Sequence, residues 1–236
     1  MSPSAVRLVA LLPELLGTYG DGGNLVVLQR RLEWRNIAHE VTQVGLGDPV
    51  PLHGDLYLLG GGEDEAQVIA LDQLRQSGLR DAVVSGAHLF GVCAGLQLLG
   101  TSFIGADETR HEGLGLLDLH SERLEVRAVG EVVVRPDPTL ELPLITGFEN
   151  HRGSTVLGSA TRALGRVVSG VGNGTADGVE GAYDDRVLAT YLHGPVLARN
   201  PALADLILER VCGHPLTALP DEAHDMLRRE RLSGRS

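Results

Sequence analysis

The sequence predicts an α/β fold in one domain, with a mostly parallel central sheet flanked by helices and with antiparallel strands added. Strand-like and helix-like segments alternate through the first half of the chain, as is typical of a parallel sheet. Short β-rich segments separated by Gly, Pro, Asp and Asn follow, from residue 114 to about 191, and these predict antiparallel strands. The 236 residues contain no repeat or linker, so we predict a single domain over residues 1–236.

The alternating half begins with an apolar run from Val6 to Leu12, interrupted by Arg7, which predicts a buried strand. A Gly-rich turn follows, and Asn24 is placed to cap a helix that runs to about Trp34. The same patterns predict strands at Glu40 to Val44, Asp55 to Leu59 and His88 to Val92, with helices at Asp64 to Gln76 and Ala94 to Leu99.

The β-rich half predicts four further strands, at Val129 to Val134, Leu144 to Phe148, Arg166 to Val168 and Val187 to Tyr191. Two helices then close the chain. The first spans Pro201 to Cys212, and the second is an amphipathic, Arg-rich helix from Asp221 to Leu232.

The charge balance excludes several functions. The chain has 20 basic residues, all of them Arg, against 31 acidic ones, for a net charge of −11. The arginines are scattered, so they form no basic face that would neutralise nucleic-acid phosphates. A chain without Lys has neither the lysine of a P-loop nor an amine for Schiff-base catalysis.

The cysteine and hydropathy patterns indicate a cytoplasmic protein. Cys93 and Cys212 are too few for a disulfide framework, and the first ten residues lack the features of a signal peptide. No apolar run approaches the ~20 residues of a membrane span. No His pair has zinc-ligand spacing with Cys, so we predict neither a metal nor a cofactor.

The segment Gly91-Val92-Cys93-Ala94-Gly95 joins a predicted strand to a predicted helix. It is the thiol counterpart of the nucleophile elbow, which holds a nucleophile at a sharp strand-to-helix turn. Side chains at the two glycines would collide with neighbouring backbone, and the helix N-terminus favours a thiolate. Cys93 is therefore the candidate nucleophile; the alternative is a small buried residue that only packs.

A cysteine nucleophile needs a base, and His193 is the best placed of nine histidines. It follows a predicted strand and precedes Gly194-Pro195, so it lies at the carboxyl edge of the sheet, the edge that also carries Cys93. The alternative is a histidine that merely ends a strand. Gly60-Gly61-Gly62 also follows a predicted strand, and its amides could form an oxyanion hole or simply a tight turn.

Five motifs stand in order along nearly the whole chain: Gly60-Gly61-Gly62, the Cys93 elbow with Gln97, Glu112-Gly113-Leu114-Gly115-Leu116-Leu117-Asp118, Gly147-Phe148-Glu149-Asn150-His151 and Tyr191-Leu192-His193-Gly194-Pro195. Together they resemble class I glutamine amidotransferases of the cobyric-acid-synthase type. Their order and spacing look most like the stand-alone glutaminase subunits of lipid II isoglutaminyl synthases.

The resemblance implies a class I glutamine amidotransferase-like fold and the hydrolysis of glutamine by Cys93 and His193. It places backbone amides near Gly60, Gly61 and Gly62 and at Ala94 in the oxyanion hole, and Gln97 beside the bound glutamine. The substrate-binding arginine of the family maps best onto Arg127, whose guanidinium would pair with the α-carboxylate. Its neighbouring competitors for this role are Arg110, Arg123 and Arg152.

One position departs from the wider class. Many members carry a glutamate two residues after the histidine, whereas this chain has Pro195 there. Either a dyad suffices, or an acid comes from elsewhere. Glu149 and Asp118 are candidates within the chain, and a partner subunit is another source.

The resemblance further implies a heterodimer with an ATP-dependent, Mur-ligase-like (MurT-like) synthetase subunit. That subunit would use the ammonia to amidate D-glutamate of the lipid II stem peptide in peptidoglycan synthesis. The alternatives are a glutaminase serving cobyrinate or another carboxylate, a non-catalytic regulatory subunit of the same fold, and a cysteine peptidase.

Overall fold

A computed structural model describes residues 5–233 of the chain. The predicted domain over 1–236 therefore includes residues 1–4 and 234–236, which lie outside the described residues. The elements, in chain order, are β1 (Val6–Leu11), α1 (Gly22–Glu33), β2 (His39–Val44), β3 (Leu56–Leu59), α2 (Asp64–Arg75), α3 (Leu79–Val84), β4 (His88–Val92), α4 (Ala94–Leu99), β5 (Ser102–Ile104), β6 (Arg110–Glu112), β7 (Leu119–Pro136), β8 (Ile145–Leu157), β9 (Gly165–Ser169), β10 (Val179–Glu180), β11 (Ala182–Tyr183), β12 (Val187–Thr190), α5 (Val196–Arg199), α6 (Pro201–Cys212) and α7 (Glu222–Ser233).

The first sheet has the strand order β11-β12-β4-β3-β1-β2. All its neighbours are parallel except β11, which pairs antiparallel with β12. Strands β3, β4 and β12 are buried along their whole length, as expected for central strands covered on both faces. The predicted α/β class and the mostly parallel sheet are confirmed.

The second sheet has the order β10-β9-β7-β5-β6, with β8 also paired to β7. Its pairs are antiparallel apart from β5 with β7. Of the four predicted antiparallel strands, Val187 to Tyr191 is instead β12, which pairs parallel with β4 in the first sheet, where β11 is the antiparallel strand. The others form a sheet of their own, because the long strand β7 pairs with β8 and β9 instead of with the edge of the first sheet.

The structure refines the predicted elements. Strand β4 and helix α6 have the predicted bounds, whereas the short helix α3 was not predicted. Asn24 was expected to cap α1, but that helix begins at Gly22 and Asn24 lies inside it. The buried Asn24 side chain instead accepts a hydrogen bond from the amide of Leu197, 3.0 Å away, at the start of α5.

A buried ion-pair network ties the start of the chain to its end. Arg31 on α1 is 2% exposed and donates to both carboxylate oxygens of Asp205 on α6 and to both of Asp221. These bonds raise the pKa of Arg31 despite the opposing effect of burial, and they lower the pKa of Asp221. None of the helices within residues 5–233 has the length and apolar character needed to cross a membrane.

Candidate active site

A cleft lies at the carboxyl edge of the first sheet. Cys93 follows β4 directly, His193 is three residues after the end of β12, and Gly60-Gly61-Gly62 follows β3. Because β3, β4 and β12 are adjacent and parallel, these three segments meet at one edge. The structure therefore brings together the two predicted catalytic side chains and the predicted glycine loop.

Cys93 lies in the strained turn that its motif predicts. Its φ of 53° and ψ of −104° are unusual for a residue with a side chain, and helix α4 begins at the next residue. A Cβ atom on Gly95 would lie 2.8 Å from the carbonyl oxygen of Leu59, so only glycine lets α4 approach β3 this closely. Cys93 is 8% exposed and lines the cleft.

His193 is held from two directions. Its amide donates to the carbonyl of Phe148 on β8 at 2.7 Å, and the Phe148 amide returns a 3.3 Å bond to the His193 carbonyl. The imidazole is buried, and its Nε2 atom makes no hydrogen bond to any residue that the structure describes. Tyr19 packs edge-on against the ring, with centroids 4.9 Å apart.

Asp21 is a partner of His193 that the sequence reasoning missed. Its two carboxylate oxygens lie 3.1 and 3.0 Å from Nδ1 of His193, and neither side chain is more than 1% exposed. Oδ2 also accepts the amide of Gly61 at 2.8 Å. A signal was available in the sequence. Strand β1 ends at the same sheet edge, and the Gly-rich turn that follows it carries Asp21.

Three groups converge on Gly61. A Cβ atom there would lie 2.7 Å from Cε1 of His193, 3.0 Å from Oδ2 of Asp21 and 3.2 Å from Cβ of Cys93. Glycine is therefore required for the nucleophile, the imidazole and the carboxylate to pack around one point of backbone. The Gly61 amide is already bonded to Asp21, whereas the adjacent Gly62 and the predicted Ala94 line the cleft.

The charge state of His193 follows from these neighbours. Burial disfavours the imidazolium, but the interactions with Asp21 and with the adjacent Cys93 outweigh it and raise the pKa of His193 to about 10. The ring therefore carries a proton at neutral pH. A protonated imidazole beside a thiol group favours the thiolate and can later supply a proton to a leaving group.

Arg127 reaches the same cleft from the second sheet. The pairing of β7 with β8 shifts register between Arg123 and Ala128, and such an irregularity redirects side chains. The Arg127 guanidinium donates to Oδ1 of Asn150 at 2.5 Å and to the Tyr19 hydroxyl at 3.4 Å.

Two of the competing arginines, Arg123 and Arg152, also line the cleft. Arg123 is paired with Asp64, and Arg152 donates to the carbonyl of Glu125. Arg110 pairs with Glu122 and is not part of the cleft lining. Arg127 therefore reaches the cleft without a carboxylate in its hydrogen bonds, unlike Arg123.

Gln97 is fixed on the floor of the cleft. Its Nε2 donates to the Tyr191 hydroxyl at 3.1 Å, and its Oε1 accepts from Nε2 of Gln67 at 2.9 Å. Tyr191 in turn is 2.7 Å from Oγ1 of Thr155. The predicted glutamine-side residue is therefore held in one orientation by buried partners.

The two acids considered within the chain lie elsewhere. Glu149 accepts the amides of Val171 and Gly172, each at 2.8 Å. Asp118 accepts the amide of Ala160 at 3.1 Å. The carboxylate that contacts the His193 ring is that of Asp21. Within residues 5–233, no cluster of three or more metal-ligating side chains is present.

Known proteins resemble the chain over most of its length. Residues 7–201 match the family described as CobB/CobQ-like glutamine amidotransferase domain. The GatD subunit of the glutamine-hydrolyzing lipid II isoglutaminyl synthase of Staphylococcus aureus (strain N315) is 36% identical over 200 residues, which cover 84% of this chain and 80% of that protein. The GatD subunit of Streptococcus pneumoniae (strain ATCC BAA-255 / R6) is 32% identical over 206 residues, which cover 86% of this chain and 78% of that protein.

A solved structure described as a glutamine amidotransferase has the same fold. It matches with a TM-score of 0.56 at 22% sequence identity, over 86% of this chain and 98% of that one. At this identity the likeness is one of fold alone.

Proposed function

Because the chain belongs to the CobB/CobQ-like glutamine amidotransferase domain family, we propose that it hydrolyses L-glutamine to glutamate and ammonia with Cys93 as nucleophile. We assign it the role of the relatives named GatD, the glutamine-hydrolysing subunit of a lipid II isoglutaminyl synthase. The observation that carries the proposal is the convergence of Cys93, His193 and Asp21 around Gly61, in a cleft that Arg127 also lines.

Substrate binding uses the polar lining of the cleft. The Arg127 guanidinium takes the α-carboxylate of glutamine, exchanging its contacts with Asn150 and Tyr19 for a charge-assisted pair. Gln97, held by Gln67 and Tyr191, lies beside the side chain of the substrate. Binding at Arg127 then holds the side-chain amide against the Cys93 sulfur.

The reaction proceeds through a thioester. The Cys93 thiolate attacks the amide carbon, and the amides of Gly62 and Ala94 stabilise the negative oxygen. The His193 imidazolium gives its proton to the departing ammonia as the carbon–nitrogen bond breaks. The imidazole then takes a proton from water as the water oxygen attacks the γ-glutamyl thioester. The carbon–sulfur bond breaks to release glutamate and the Cys93 thiolate, which restores the starting thiolate–imidazolium pair.

The ammonia needs an acceptor that this chain does not activate. Free ammonia is mostly ammonium at neutral pH, and amidation of a carboxylate requires activation by ATP. The chain has no Lys for a P-loop. We therefore propose a heterodimer with an ATP-dependent, Mur-ligase-like subunit that amidates D-glutamate of the lipid II stem peptide, and a cytoplasmic site of action.

The first test is glutamine hydrolysis by the purified chain, alone and with its co-expressed synthetase. Cys93→Ala is expected to abolish ammonia release, because no other described thiol group faces the cleft. Cys212→Ala, at the end of α6, is the matched control and is expected to retain wild-type activity. Equal ammonia release by wild type and Cys93→Ala would refute the proposal.

The second test identifies the acceptor. The complex is supplied with glutamine, ATP and either lipid II or cobyrinate, and amidated product is measured by mass spectrometry. Amidated lipid II is expected. Amidated cobyrinate alone would instead assign the chain to cobyrinate amidation. Cleavage of peptides without a partner would indicate a cysteine peptidase.

A further inference from the structure

We infer that Asp21 is the positioning acid of this site, orienting His193 and the glycine loop together, so that the chain needs no carboxylate from a partner to hold its histidine. The inference rests on the proposed glutaminase function, which it deepens. Three separate contacts of the Asp21 segment carry it.

The first contact fixes the imidazole. Both carboxylate oxygens of Asp21 lie within 3.1 Å of Nδ1 of His193. A carboxylate accepts only, so Nδ1 carries a proton, and the ring also interacts with Cys93. Both side chains are almost fully buried, and a buried ion of either sign is strongly disfavoured without its counter-charge.

The second contact fixes the glycine loop. The amide of Gly61 donates to Oδ2 of Asp21 at 2.8 Å, and the amide of Thr18 donates to the Gly61 carbonyl at 3.0 Å. The turn before α1 thus holds Gly61 through both its amide and its carbonyl group. Gly62, the next residue, lines the cleft where the oxyanion would form. One carboxylate therefore sets both the imidazole and the backbone beside it.

The third contact explains the missing glutamate. Where many members of the class carry that residue, this chain has Pro195, and a Cβ atom on Gly23 would lie 2.3 Å from Cγ of Pro195. Pro195 therefore packs directly on the first turn of α1. Asp21 precedes that helix, whose N-terminus favours a negative charge. The proline brings the start of α1, and with it the acid, against the histidine segment.

Within the described part of the chain, the groups that face His193 come from three elements. Asp21 and Tyr19 reach it from the turn before α1, and Cys93 reaches it from the junction of β4 with α4. Strand β8 meets it through the backbone of Phe148. Among these, Asp21 is the group whose removal takes away the negative charge at Nδ1.

The test compares Asp21→Asn and Asp21→Ala with Asp72→Asn, a control on the exposed face of α2. Two quantities are measured with the full chain, alone and in complex with its synthetase. The first is kcat and KM for glutamine. The second is the pH profile of Cys93 alkylation by iodoacetamide, which requires no glutamine; Cys212→Ala is the background for this measurement.

The expected result for Asp21→Asn is a loss of kcat of roughly 100-fold or more with little change in KM, as for other acids that orient a catalytic histidine. The alkylation midpoint is expected to move upward by about one pH unit or more, because the imidazolium loses its counter-charge. Asp21→Glu is expected to recover part of kcat. The defects are expected to be the same with and without the synthetase.

Three outcomes would overturn the inference. One is an unchanged kcat and alkylation profile in Asp21→Asn. Another is rescue of that variant by the synthetase, which would place the acid on the partner. The third is a loss of kcat with an unchanged alkylation profile and a lowered melting temperature, which would make Asp21 purely structural. If wild type releases no ammonia from glutamine but the profile still shifts, the proposed function fails and the role of Asp21 at His193 stands.

Discussion

At the scale of single residues, the site divides into groups that local sequence reveals and groups that it hides. Cys93 and His193 were predicted because each follows a strand and adjoins a motif with its own chemistry. Asp21 was missed because it is 172 residues from His193 along the chain. No local feature distinguishes an acid that contacts a buried histidine from an acid exposed to solvent in the same kind of Gly-rich turn. Only the arrangement of β1, β3, β4 and β12 as parallel strands of one sheet brings Asp21 and His193 together.

Arg127 allows a direct test of substrate binding at the same scale. Arg127→Ala is expected to raise KM for glutamine by roughly 10- to 100-fold, the value of a charge-assisted hydrogen bond, with a smaller effect on kcat. Arg152→Ala is the matched control, because Arg152 lines the same cleft but donates to a backbone carbonyl. Steady-state kinetics measure both. An unchanged KM in Arg127→Ala, with a raised KM in the control, would transfer the role to Arg152.

At the scale of elements, buried strands and long helices were predicted well and the second sheet was not. Strand β4 is a short apolar run after His88 and α6 has a clear helical period, so local pattern fixes both. Helix α3 has six residues, which is too short for a period to be visible. Strand β7 has 18 residues with mixed exposure and a register shift, so its pairing depends on contacts that no local window contains.

The junction of β4 with α4 provides a prediction at this scale. Gly95→Ala is expected to lower the free energy of unfolding by about 1–3 kcal/mol, because the added methyl group would press on the backbone of β3. The control is Gly22→Ala, at the first position of α1, where a Cβ atom meets nothing within 4 Å and no loss is expected. Urea denaturation measures both variants. Equal stability of the two would show that α4 can move away without cost.

At the scale of the whole molecule, the family was recognised from the order of motifs along the chain, and the family match over residues 7–201 confirms it. The fold class is confirmed in the same way by the solved relative. The ion-pair network that joins α1 to the C-terminal part of the chain was not predicted. Arg31 joins α1 to Asp205 on α6 and to Asp221. The sequence alone does not show whether an arginine is buried or exposed.

The Arg31 network is expected to contribute measurably to the free energy of unfolding. Arg31→Met is expected to cost about 3 kcal/mol at neutral pH, because Asp221 loses its arginine and Asp205 keeps only Arg35 as a partner. Arg30→Met, next along α1 in an exposed pair with Glu33, is expected to cost less than about 1 kcal/mol.

The deficit of Arg31→Met is also expected to depend on pH. The folded-state pKa of Asp221 is lowered by Arg31, so its contribution is present above its unfolded pKa and is lost as pH falls through the folded one. Urea denaturation at pH 7 and at pH 3 should therefore show a smaller gap between wild type and Arg31→Met at the lower pH. A gap that widens on acidification would contradict this explanation.

The backbone bridge between Phe148 and His193 has a consequence for inactivation by heat. His193 and Cys93 both follow strands of the first sheet, but the main chain of His193 is also hydrogen-bonded to β8 of the second sheet. Warming that parts the two sheets would break this bridge and free the His193 segment from its position beside Cys93 before either sheet melts. Catalytic activity would then be lost at a lower temperature than the circular-dichroism signal of the strands and helices. The gap between the two transition temperatures would measure how strongly the two sheets hold together.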